Sequence, residues 1–397
     1  MRSTIAVAAA TLMVASAGAG AQRDTTTKVH DPAVHTFHVD TFAFESGVKL
    51  PDATIVYATY GHLDAARDNA VLVPSHYMAD HHGYDWLLGP GQALDTARHF
   101  VIATEMFGNG HSSSPSNTLE PYHGPRFPAV TIRDNVRIVH QLLVDSLHLK
   151  HLEAIVGFSM GAEQAFQWAV SYPEFASRIV ATSGTAKCYP HGVVRLEGQI
   201  SALESDAAFQ DGDYAREPRR GMQAYGTVWA GWLFSQEWWR EELWRSDTSS
   251  FGRTPNEVLA GIVRQFTDSI DANDMILQAR VWEHHDVGTT PGFGGDVAAA
   301  LRSISVPVLY MPSETDLYFP IGDAEYERQF IRQVTFAPIH SLWGHPAGAG
   351  ASPADLAFLN RTIAAFLAVS SSTASVPPAP ARPSRQSVAS ARGDGSN

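Results

Sequence analysis

The pentapeptide GFSMG at 157–161 constrains the fold of this chain more than any other segment. It follows an apolar run, 152–156, and precedes an alanine-rich segment with helical character. Glycines at both ends of the pentapeptide permit a sharp turn from a strand into a helix, with the serine hydroxyl exposed. The five letters alone also fit an ordinary β-turn. Their position between a strand and a helix predicts that Ser159 is a nucleophile.

Apolar patterns on either side of this turn predict an alternation of strands and helices. The expected strands are 38–46, 53–60, 69–75, 99–106, 151–157, 177–183, 306–311 and 334–338. One helix is expected to begin at Thr131 with Asp134 in a capping box, and the others to cover 160–170, 322–333 and 354–367. This alternation predicts an α/β fold with a mostly parallel eight-stranded sheet and helices on both faces.

One segment, 190–295, interrupts the alternation with helical and aromatic character. Five of the nine tryptophans fall within it at close spacing: Trp229, Trp232, Trp238, Trp239 and Trp244. We expect a helical lid inserted between two strands, with Trp229 and Trp232 both in its core and along an apolar pocket. The predicted divisions are a leader at 1–21, core segments at 22–189 and 296–369 around the lid, and a disordered tail at 370–397.

Composition and the N-terminus bound the location and partners of the protein. The net charge of −13 argues against a nucleic-acid partner, which requires clustered basic residues. Arg2, a short apolar run and a small-residue site ending at Ala21 are typical of an export signal, which predicts a periplasmic or secreted protein. No segment has about 18 consecutive apolar residues, so we expect no stable membrane insertion. Cys188 is the only cysteine, and its place at a strand exit favours a structural role over a nucleophilic one.

A serine nucleophile needs a histidine base and an acid that orients it, and on this fold they follow the serine in the order acid, then histidine. Asp316 comes a few residues after the expected strand 306–311, and Glu314 is the fallback. His345 follows the last expected strand after Gly344, which permits a tight turn. His340 competes with His345 but lies closer to the strand end. The sequence therefore predicts a Ser159–His345–Asp316 triad.

An oxyanion hole and a substrate pocket should accompany the triad. The backbone N–H of Met160 is one expected donor, and the backbone of Met78 or Tyr77, in the loop after the third strand, is the other. Phe158 and His76, together with the two lid tryptophans, are expected to line the pocket for a small-molecule ester. The histidine pairs at 81–82 and 284–285 lack the spacing of a complete ligand set, so neither a metal nor any other cofactor is expected.

Short motifs recur in order along 38–368, and their combination is distinctive. They are GPG at 89–91, FPAVTIRD at 127–134, the serine pentapeptide, YP at 172–173, DLYFP at 316–320 and GH at 344–345. In this combination the chain resembles the homoserine O-acetyltransferase branch of the α/β-hydrolase superfamily. The resemblance implies the α/β-hydrolase fold, the Ser159–Asp316–His345 triad and a helical lid over 190–295.

Three departures from that branch bear on the acceptor of the acyl group. The acetyltransferases carry an aspartate directly after the catalytic histidine, where this chain has Pro346. They also bring an arginine and a tyrosine from an early lid helix to the amino acid, at positions that correspond here to Gly226 and Leu233. Export would also separate the enzyme from acetyl-CoA. The sequence therefore favours an ester hydrolase that uses water. The alternatives are an acetyl-CoA-dependent acyltransferase and a binding protein on a hydrolase scaffold, and a homodimer is left open.

Overall fold

The computed structural model describes residues 32–246, 252–268 and 270–369. The expected leader at 1–21 and the expected tail at 370–397 lie outside these ranges. The strands are β1 (Ala33–Ala43), β2 (Lys49–Tyr60), β3 (Ala70–Pro74), β4 (Phe100–Thr104), β5 (Ala154–Phe158), β6 (Ile179–Thr182), β7 (Val308–Met311) and β8 (Val334–Phe336). The helices are α1 (Ile132–Gln141), α2 (Met160–Ser171), α3 (Pro190–Glu204), α4 (Arg219–Leu233), α5 (Gln236–Arg240), α6 (Pro255–Thr267), α7 (Ala272–Glu283), α8 (Val297–Ser303), α9 (Ile321–Glu327) and α10 (Pro353–Leu367).

The strands form one sheet in the order β1-β2-β4-β3-β5-β6-β7-β8. The β1–β2 and β2–β4 pairs are antiparallel, and every other pair is parallel. All residues of β3, β5, β6 and β7 are buried, as expected of parallel strands covered on both faces. The predicted eight-stranded, mostly parallel α/β sheet is confirmed.

Local sequence signals explain where the helices begin, but they failed for one helix end. Thr131 caps α1, and Asp134 accepts the Thr131 N–H in return, so the predicted capping box is present. The helix expected at 322–333 is shorter than predicted, because α9 ends at Glu327. Its apolar spacing continues into residues that pack on the core without helical backbone, such as the buried Ile331. Apolar period alone therefore overestimated this helix.

The chain between β6 and β7 contains the helices α3 to α7, which lie in the predicted inserted segment. A short antiparallel contact closes its base, where Cys188 N–H donates to His285 O at 2.8 Å and Val287 N–H donates to Ala186 O at 3.0 Å. Lys187 and Asp286 form an ion pair at 2.7 Å between the same two segments. The helices α3, α4 and α6 pack on one another, whereas α8 packs against α2 of the core. The inserted helices, called the lid below, therefore leave and rejoin the core at one place.

The lid tryptophans divide into two groups with different neighbours. Trp238 stacks on Phe234 with ring centroids 3.8 Å apart and lies 5.9 Å from Trp343, in the loop that precedes His345. The Ser235 hydroxyl donates to Leu342 O at 2.6 Å, which attaches the same part of the lid to that loop. The other group, around Trp229, faces the candidate site. The lid tryptophans, which the sequence did not distinguish, thus contact two different regions: the loop before His345 and the candidate site.

Candidate active site

Ser159 occupies a strained turn between β5 and α2. Its φ of 56° and ψ of −127° are rare for a residue with a side chain. Neighbouring glycines make the turn possible, since a Cβ on Gly157 would lie 2.1 Å from Gly161 O. A Cβ on Gly184 would lie 2.5 Å from Ser159 O. The turn has the geometry of a nucleophile elbow, as its sequence predicted.

Ser159, His345 and Asp316 lie in one hydrogen-bonded row. His345 Nε2 is 3.0 Å from Ser159 Oγ, and His345 Nδ1 is 2.8 Å from Asp316 Oδ2. The three residues come from the loops after β5, β8 and β7, at the carboxyl edge of the parallel sheet. Each is at most 5% exposed. The structure therefore brings together the three side chains that the sequence singled out, in the order that proton transfer from the serine requires.

Backbone hydrogen bonds fix the acid in place. Asp316 Oδ1 accepts from the N–H groups of Tyr318 at 2.8 Å and Phe319 at 3.1 Å, which leaves Oδ2 for the histidine. The preceding Thr315 hydroxyl donates to Ser341 O at 2.8 Å and accepts from Gly344 N–H at 3.1 Å. The acid loop and the histidine loop are therefore joined to each other.

The two fallback residues lie elsewhere. Glu314 Oε1 lies 2.7 Å from His340 Nδ1, and the two side chains are 41% and 77% exposed. Neither has a hydrogen bond to Ser159 among the described residues. The preference for Asp316 and His345, which rested on position after the strand, agrees with this geometry.

The loop 76–80, called the oxyanion loop below, begins beside the elbow. The Tyr84 hydroxyl donates to Pro74 O at 2.7 Å and accepts from Phe158 N–H at 2.8 Å, so it joins the ends of β3 and β5. Gln164 Nε2, on α2, donates to Ser75 O at 2.8 Å. These bonds hold Pro74 and Ser75, which directly precede the oxyanion loop, against the elbow and α2.

Two backbone N–H groups near the elbow remain available for a ligand. Within the described ranges, neither Met160 N–H nor Tyr77 N–H donates to another group. Met78 N–H, the other alternative from the sequence, donates to Gln278 Oε1 at 2.7 Å. Of the two alternatives in the oxyanion loop, Tyr77 is therefore the one whose N–H is free.

Aromatic rings surround the triad. Tyr77 stacks on Trp229 with centroids 4.9 Å apart, and Trp229 meets Tyr318 at 4.9 Å. Tyr318 in turn lies 4.9 Å from the His345 ring. Trp282, which no sequence signal had indicated, lies 5.0 Å from Phe319. We call these five rings the aromatic roof: Tyr77, Trp229, Trp282, Tyr318 and Phe319. The site is therefore enclosed largely by apolar surface from the lid and the acid loop.

The other predicted pocket residues differ in their placement. Phe158 stacks on His345 at 4.9 Å, and His76 meets Phe158 edge-on at 4.9 Å, so both lie beside the triad. Burial, followed by the nearby His345, lowers the pKa of His76 to about 4, and the side chain is neutral at pH 7. Trp232 is only partly buried, and its ring partner is His191 at 5.4 Å rather than a ring of the roof.

A buried cation on the lid was also missed from the sequence. The Arg195 guanidinium lies 4.4 Å from the Trp282 ring centroid and 4.3 Å from that of Tyr318. Its Nη1 donates to Gln199 Oε1 at 2.7 Å, and burial lowers the pKa of the group. Arg195 supports the outer side of the aromatic roof. No motif marks it, because its two ring partners, Trp282 and Tyr318, come from distant segments of the chain.

The histidine pairs that invite a metal have ordinary partners. His81 Nδ1 is 2.8 Å from Glu105 Oε1, His82 Nδ1 is 3.0 Å from Asp85 Oδ2, and His284 Nδ1 is 2.7 Å from Arg280 O. Burial lowers the pKa of His285 to about 3. Within the described ranges, no group of three or more histidine, cysteine, aspartate or glutamate side chains could hold a metal ion. The lone cysteine, Cys188, is buried at the base of the lid, and burial raises the pKa of its thiol.

Comparison with known proteins agrees with the fold. The family model described as "alpha/beta hydrolase fold" matches residues 82–345, well over half of the chain. The chain belongs to this family. A probable esterase of Corynebacterium glutamicum is 33% identical over 81% of this chain and 91% of its own length. The ethyl acetate hydrolase of Pseudomonas veronii is 33% identical over 76% of this chain and 86% of its own length.

Solved structures and more distant relatives complete the comparison. The structure of an acetylester hydrolase from Corynebacterium glutamicum matches with a TM-score of 0.81 at 30% identity, over 84% of this chain and 95% of that chain. Homoserine acyltransferases are also relatives, and the O-acetyltransferase of Trichormus variabilis is 29% identical over 77% of this chain and 87% of its own length. The chain is thus an esterase-like α/β hydrolase with acyltransferases among its relatives.

The three positions that the sequence analysis compared with the acetyltransferases pack closely against neighbouring residues of this chain. A Cβ on Gly226 would lie 3.0 Å from the Phe266 ring and 3.2 Å from Val263 Cα, so α4 and α6 approach closely there. Leu233 is buried, and a Cβ added to Gly344 would lie 2.9 Å from the Leu233 carbonyl oxygen. Pro346 is buried in the short helical turn His345–Ala349. None of the three positions offers a charged or hydroxyl group to a substrate.

Proposed function

We propose that this protein is an exported serine esterase that hydrolyses a small, uncharged ester through an acyl-enzyme on Ser159. The observation that carries the proposal is the hydrogen-bonded row from Asp316 through His345 to Ser159 Oγ, with distances of 2.8 and 3.0 Å. Such a row is what a serine hydroxyl needs in order to act as a nucleophile at neutral pH.

The proposed reaction has two halves. In the first, Ser159 Oγ attacks the ester carbonyl carbon while its proton passes to His345 Nε2, and Asp316 stabilises the imidazolium that forms. The N–H groups of Met160 and Tyr77 hold the negative oxygen of the tetrahedral intermediate. His345 then gives the proton to the departing alcohol oxygen, and the carbon–oxygen bond breaks. In the second half a water molecule, deprotonated by His345, attacks the acyl-enzyme, and the carboxylic acid leaves as Ser159 regains its proton.

The aromatic roof and the relatives indicate the class of ester. Apolar rings favour an uncharged alcohol or acyl group, because a zwitterion would lose its hydration without gaining an ionic partner. One relative is named for ethyl acetate hydrolysis and another is an acetylester hydrolase. A short acyl group such as acetyl, esterified to a small alcohol, is therefore the proposed substrate class.

Acyl transfer to an amino alcohol is the rival reaction, because homoserine acyltransferases share the fold. The packing at Gly226 argues against it, since Phe266 fills the direction in which a gripping side chain would extend. Pro346 provides neither a charge nor a backbone N–H. Water can accept the acyl group without any side chain that binds an amino alcohol.

The export part of the proposal rests on the leader at 1–21 alone. Expression in a Gram-negative host followed by N-terminal sequencing of the periplasmic and extracellular protein tests it. We expect Gln22 at the new N-terminus, and an uncleaved cytoplasmic protein would contradict export. Sedimentation of the same mature protein tests whether it forms a homodimer, which the sequence left open. No helix among the described residues is both long and apolar enough to cross a membrane.

Hydrolysis by Ser159 is tested with p-nitrophenyl acetate and a fluorophosphonate probe. Wild-type protein should release nitrophenol and carry the probe on Ser159, whereas Ser159→Ala should lose at least about 10⁴-fold in kcat and all labelling. Circular dichroism should show that the variant is folded. Hydrolysis that survives the substitution would reject the assignment, and a folded wild type that neither hydrolyses esters nor labels would favour a binding protein.

A further inference from the structure

Two side-chain connections attach the oxyanion loop to the lid. The first is the Tyr77 side chain, whose hydroxyl donates to Met275 O, on α7, at 3.0 Å. The same hydroxyl is 2.8 Å from the Tyr225 hydroxyl on α4, and all of these groups are buried. Tyr77, whose N–H is the proposed oxyanion donor, is therefore anchored through its ring to two lid helices.

The second connection is the Gln278 side chain on α7. Its Oε1 accepts from Met78 N–H at 2.7 Å, and its Nε2 donates to Gly108 O at 2.7 Å. Gln278 is 1% exposed. Because one partner is a backbone donor and the other a backbone acceptor, only one orientation of the amide satisfies both. The amide thus joins the oxyanion loop to the loop after β4.

Met78 needs such support because its backbone conformation is unfavourable. Its φ is 58°, in the left-handed region that a residue with a side chain rarely adopts. Residues held in this region are strained and persist only where the surroundings fix them. Gln278 fixes the peptide plane between Tyr77 and Met78, and the Tyr77 ring fixes the Cα before it. Together these two constraints fix where the Tyr77 backbone nitrogen lies and so limit the directions that its N–H can take.

We propose that Gln278 is a positioning residue for the oxyanion hole, acting from the lid by holding Met78 so that the Tyr77 N–H faces the reacting carbonyl oxygen. The inference rests on the proposed function, since it assigns the Tyr77 N–H to a tetrahedral intermediate. It gives α7 a part in catalysis as well as in covering the site. A donor that is preorganised stabilises developing charge far better than one that must reorient.

The test compares Gln278→Leu, which removes both hydrogen bonds, with Gln278→Glu, which keeps the acceptor and nearly the same volume but cannot donate to Gly108 O when ionised. We expect kcat for p-nitrophenyl acetate to fall about 10- to 100-fold in Gln278→Leu and by a smaller factor in Gln278→Glu, which keeps the acceptor for Met78 N–H but loses the bond that orients the amide. KM should stay within about twofold in both variants, because an oxyanion donor acts mainly in the transition state. The inhibition constant of a small alkylboronic acid, which forms a tetrahedral adduct on serine, should rise in parallel with the loss in kcat.

Gln167→Leu is the matched control. Gln167 is another buried glutamine, and its Nε2 donates to Ser171 Oγ at 2.8 Å and Thr290 Oγ1 at 2.9 Å, away from the oxyanion loop. Its removal should lower the unfolding midpoint about as much as Gln278→Leu does, but leave kcat and boronate affinity within about twofold of wild type. A loss of kcat in the control equal to that in Gln278→Leu would reduce the effect to general destabilisation.

The inference is overturned if folded Gln278→Glu and Gln278→Leu retain wild-type kcat and boronate affinity. If Gln278→Leu does not fold, Gln278→Glu decides the matter through the same two measurements. Failure of the proposed function gives a different result, namely hydrolysis that persists in Ser159→Ala. Ser159-dependent hydrolysis that ignores Gln278 contradicts the positioning role alone.

Discussion

The two halves of the candidate site are held by different parts of the molecule. The triad depends on core loops, in which Asp316 accepts two backbone N–H groups and Thr315 joins the acid loop to the histidine loop. The oxyanion loop depends also on the lid, through the Tyr77 hydroxyl and the Gln278 amide. Proton transfer is therefore built into the core, whereas stabilisation of the oxyanion depends on contacts that the inserted segment makes. Changes in the core should abolish turnover, and changes in the lid should weaken it by smaller steps.

The largest effect should come from the core half. Asp316→Asn should lower kcat by about 10⁴-fold with little change in KM, because an amide cannot hold His345 in the required tautomer or stabilise its charged form. Steady-state hydrolysis of p-nitrophenyl acetate measures both constants. Glu314→Gln is the control, since this nearby acid pairs with His340 at the surface and should leave kcat within about twofold. Equal losses of kcat in Asp316→Asn and Glu314→Gln would contradict the assignment of the orienting acid to Asp316.

The link between the two halves should give the next effect. Tyr84→Phe removes the hydroxyl that joins Pro74 O and Phe158 N–H and leaves both buried backbone groups without this partner. We expect the free energy of unfolding to fall by about 1–3 kcal/mol in urea titrations. The value of kcat should also fall, because the start of the oxyanion loop moves relative to the elbow. A stable, fully active variant would show that other contacts suffice to hold the two strand ends together.

On the lid side, Tyr77→Phe should keep the backbone N–H but lose the bonds to Met275 O and the Tyr225 hydroxyl. We expect kcat to fall roughly tenfold, about 1.4 kcal/mol, with KM nearly unchanged. Tyr225→Phe is informative beside it, since it removes only one of the two bonds and should have the smaller effect. The reverse order of the two variants would place the anchor on α4 rather than on α7.

A buried acid of the core should have the smallest effect on turnover, because it should change stability alone. Burial raises the pKa of Glu327 to about 8, against hydrogen bonds from Ala186 N–H and the Tyr310 hydroxyl, and nearby Asp323 raises it further. Burial also raises the pKa of a second buried acid, Glu163. Nearby Glu327 raises that pKa further, and Arg195 lowers it only in part. The folded protein therefore keeps the Glu327 proton at pH values where the unfolded chain has released it, and the free energy of unfolding falls as the pH rises from about 4.5 to about 8.

Glu327→Gln should flatten this pH dependence by at most about 1.4 kcal/mol per pH unit. Urea midpoints at pH 5, 6, 7 and 8 measure it, with wild type in parallel. Tyr189 also contacts this acid, so Tyr189→Phe is the companion variant that keeps the carboxyl group and should retain the slope. A variant curve parallel to that of wild type would show that Glu327 is not the group that titrates.

The core half of the site was predictable from the sequence because its residues follow strands that are easily recognised as apolar runs. Continuous apolar runs located β5 and β7, and the serine and aspartate follow these strands closely, whereas the histidine lies further along the loop after β8. Met78 and Tyr77 remained alternatives for the reason that hydrogen-bond partners decide between them. Gln278 lies 200 residues from Met78 along the chain and belongs to no motif, so only the folded lid brings the two together. Arg195 and Trp282 escaped notice for the same reason, and the end of α9 because apolar spacing continues past Glu327.

The acceptor of the acyl group is the point on which the account depends most. Purified mature protein, supplied with ethyl acetate or acetyl-CoA in the presence of homoserine, allows free acetate and acetylated homoserine to be quantified together by mass spectrometry. We predict one acetate for each ethanol released, dependent on Ser159, and only traces of acetylated homoserine. Consumption of acetyl-CoA matched by acetylated homoserine, with little free acetate from either donor, would contradict hydrolysis and identify the protein as an acyltransferase.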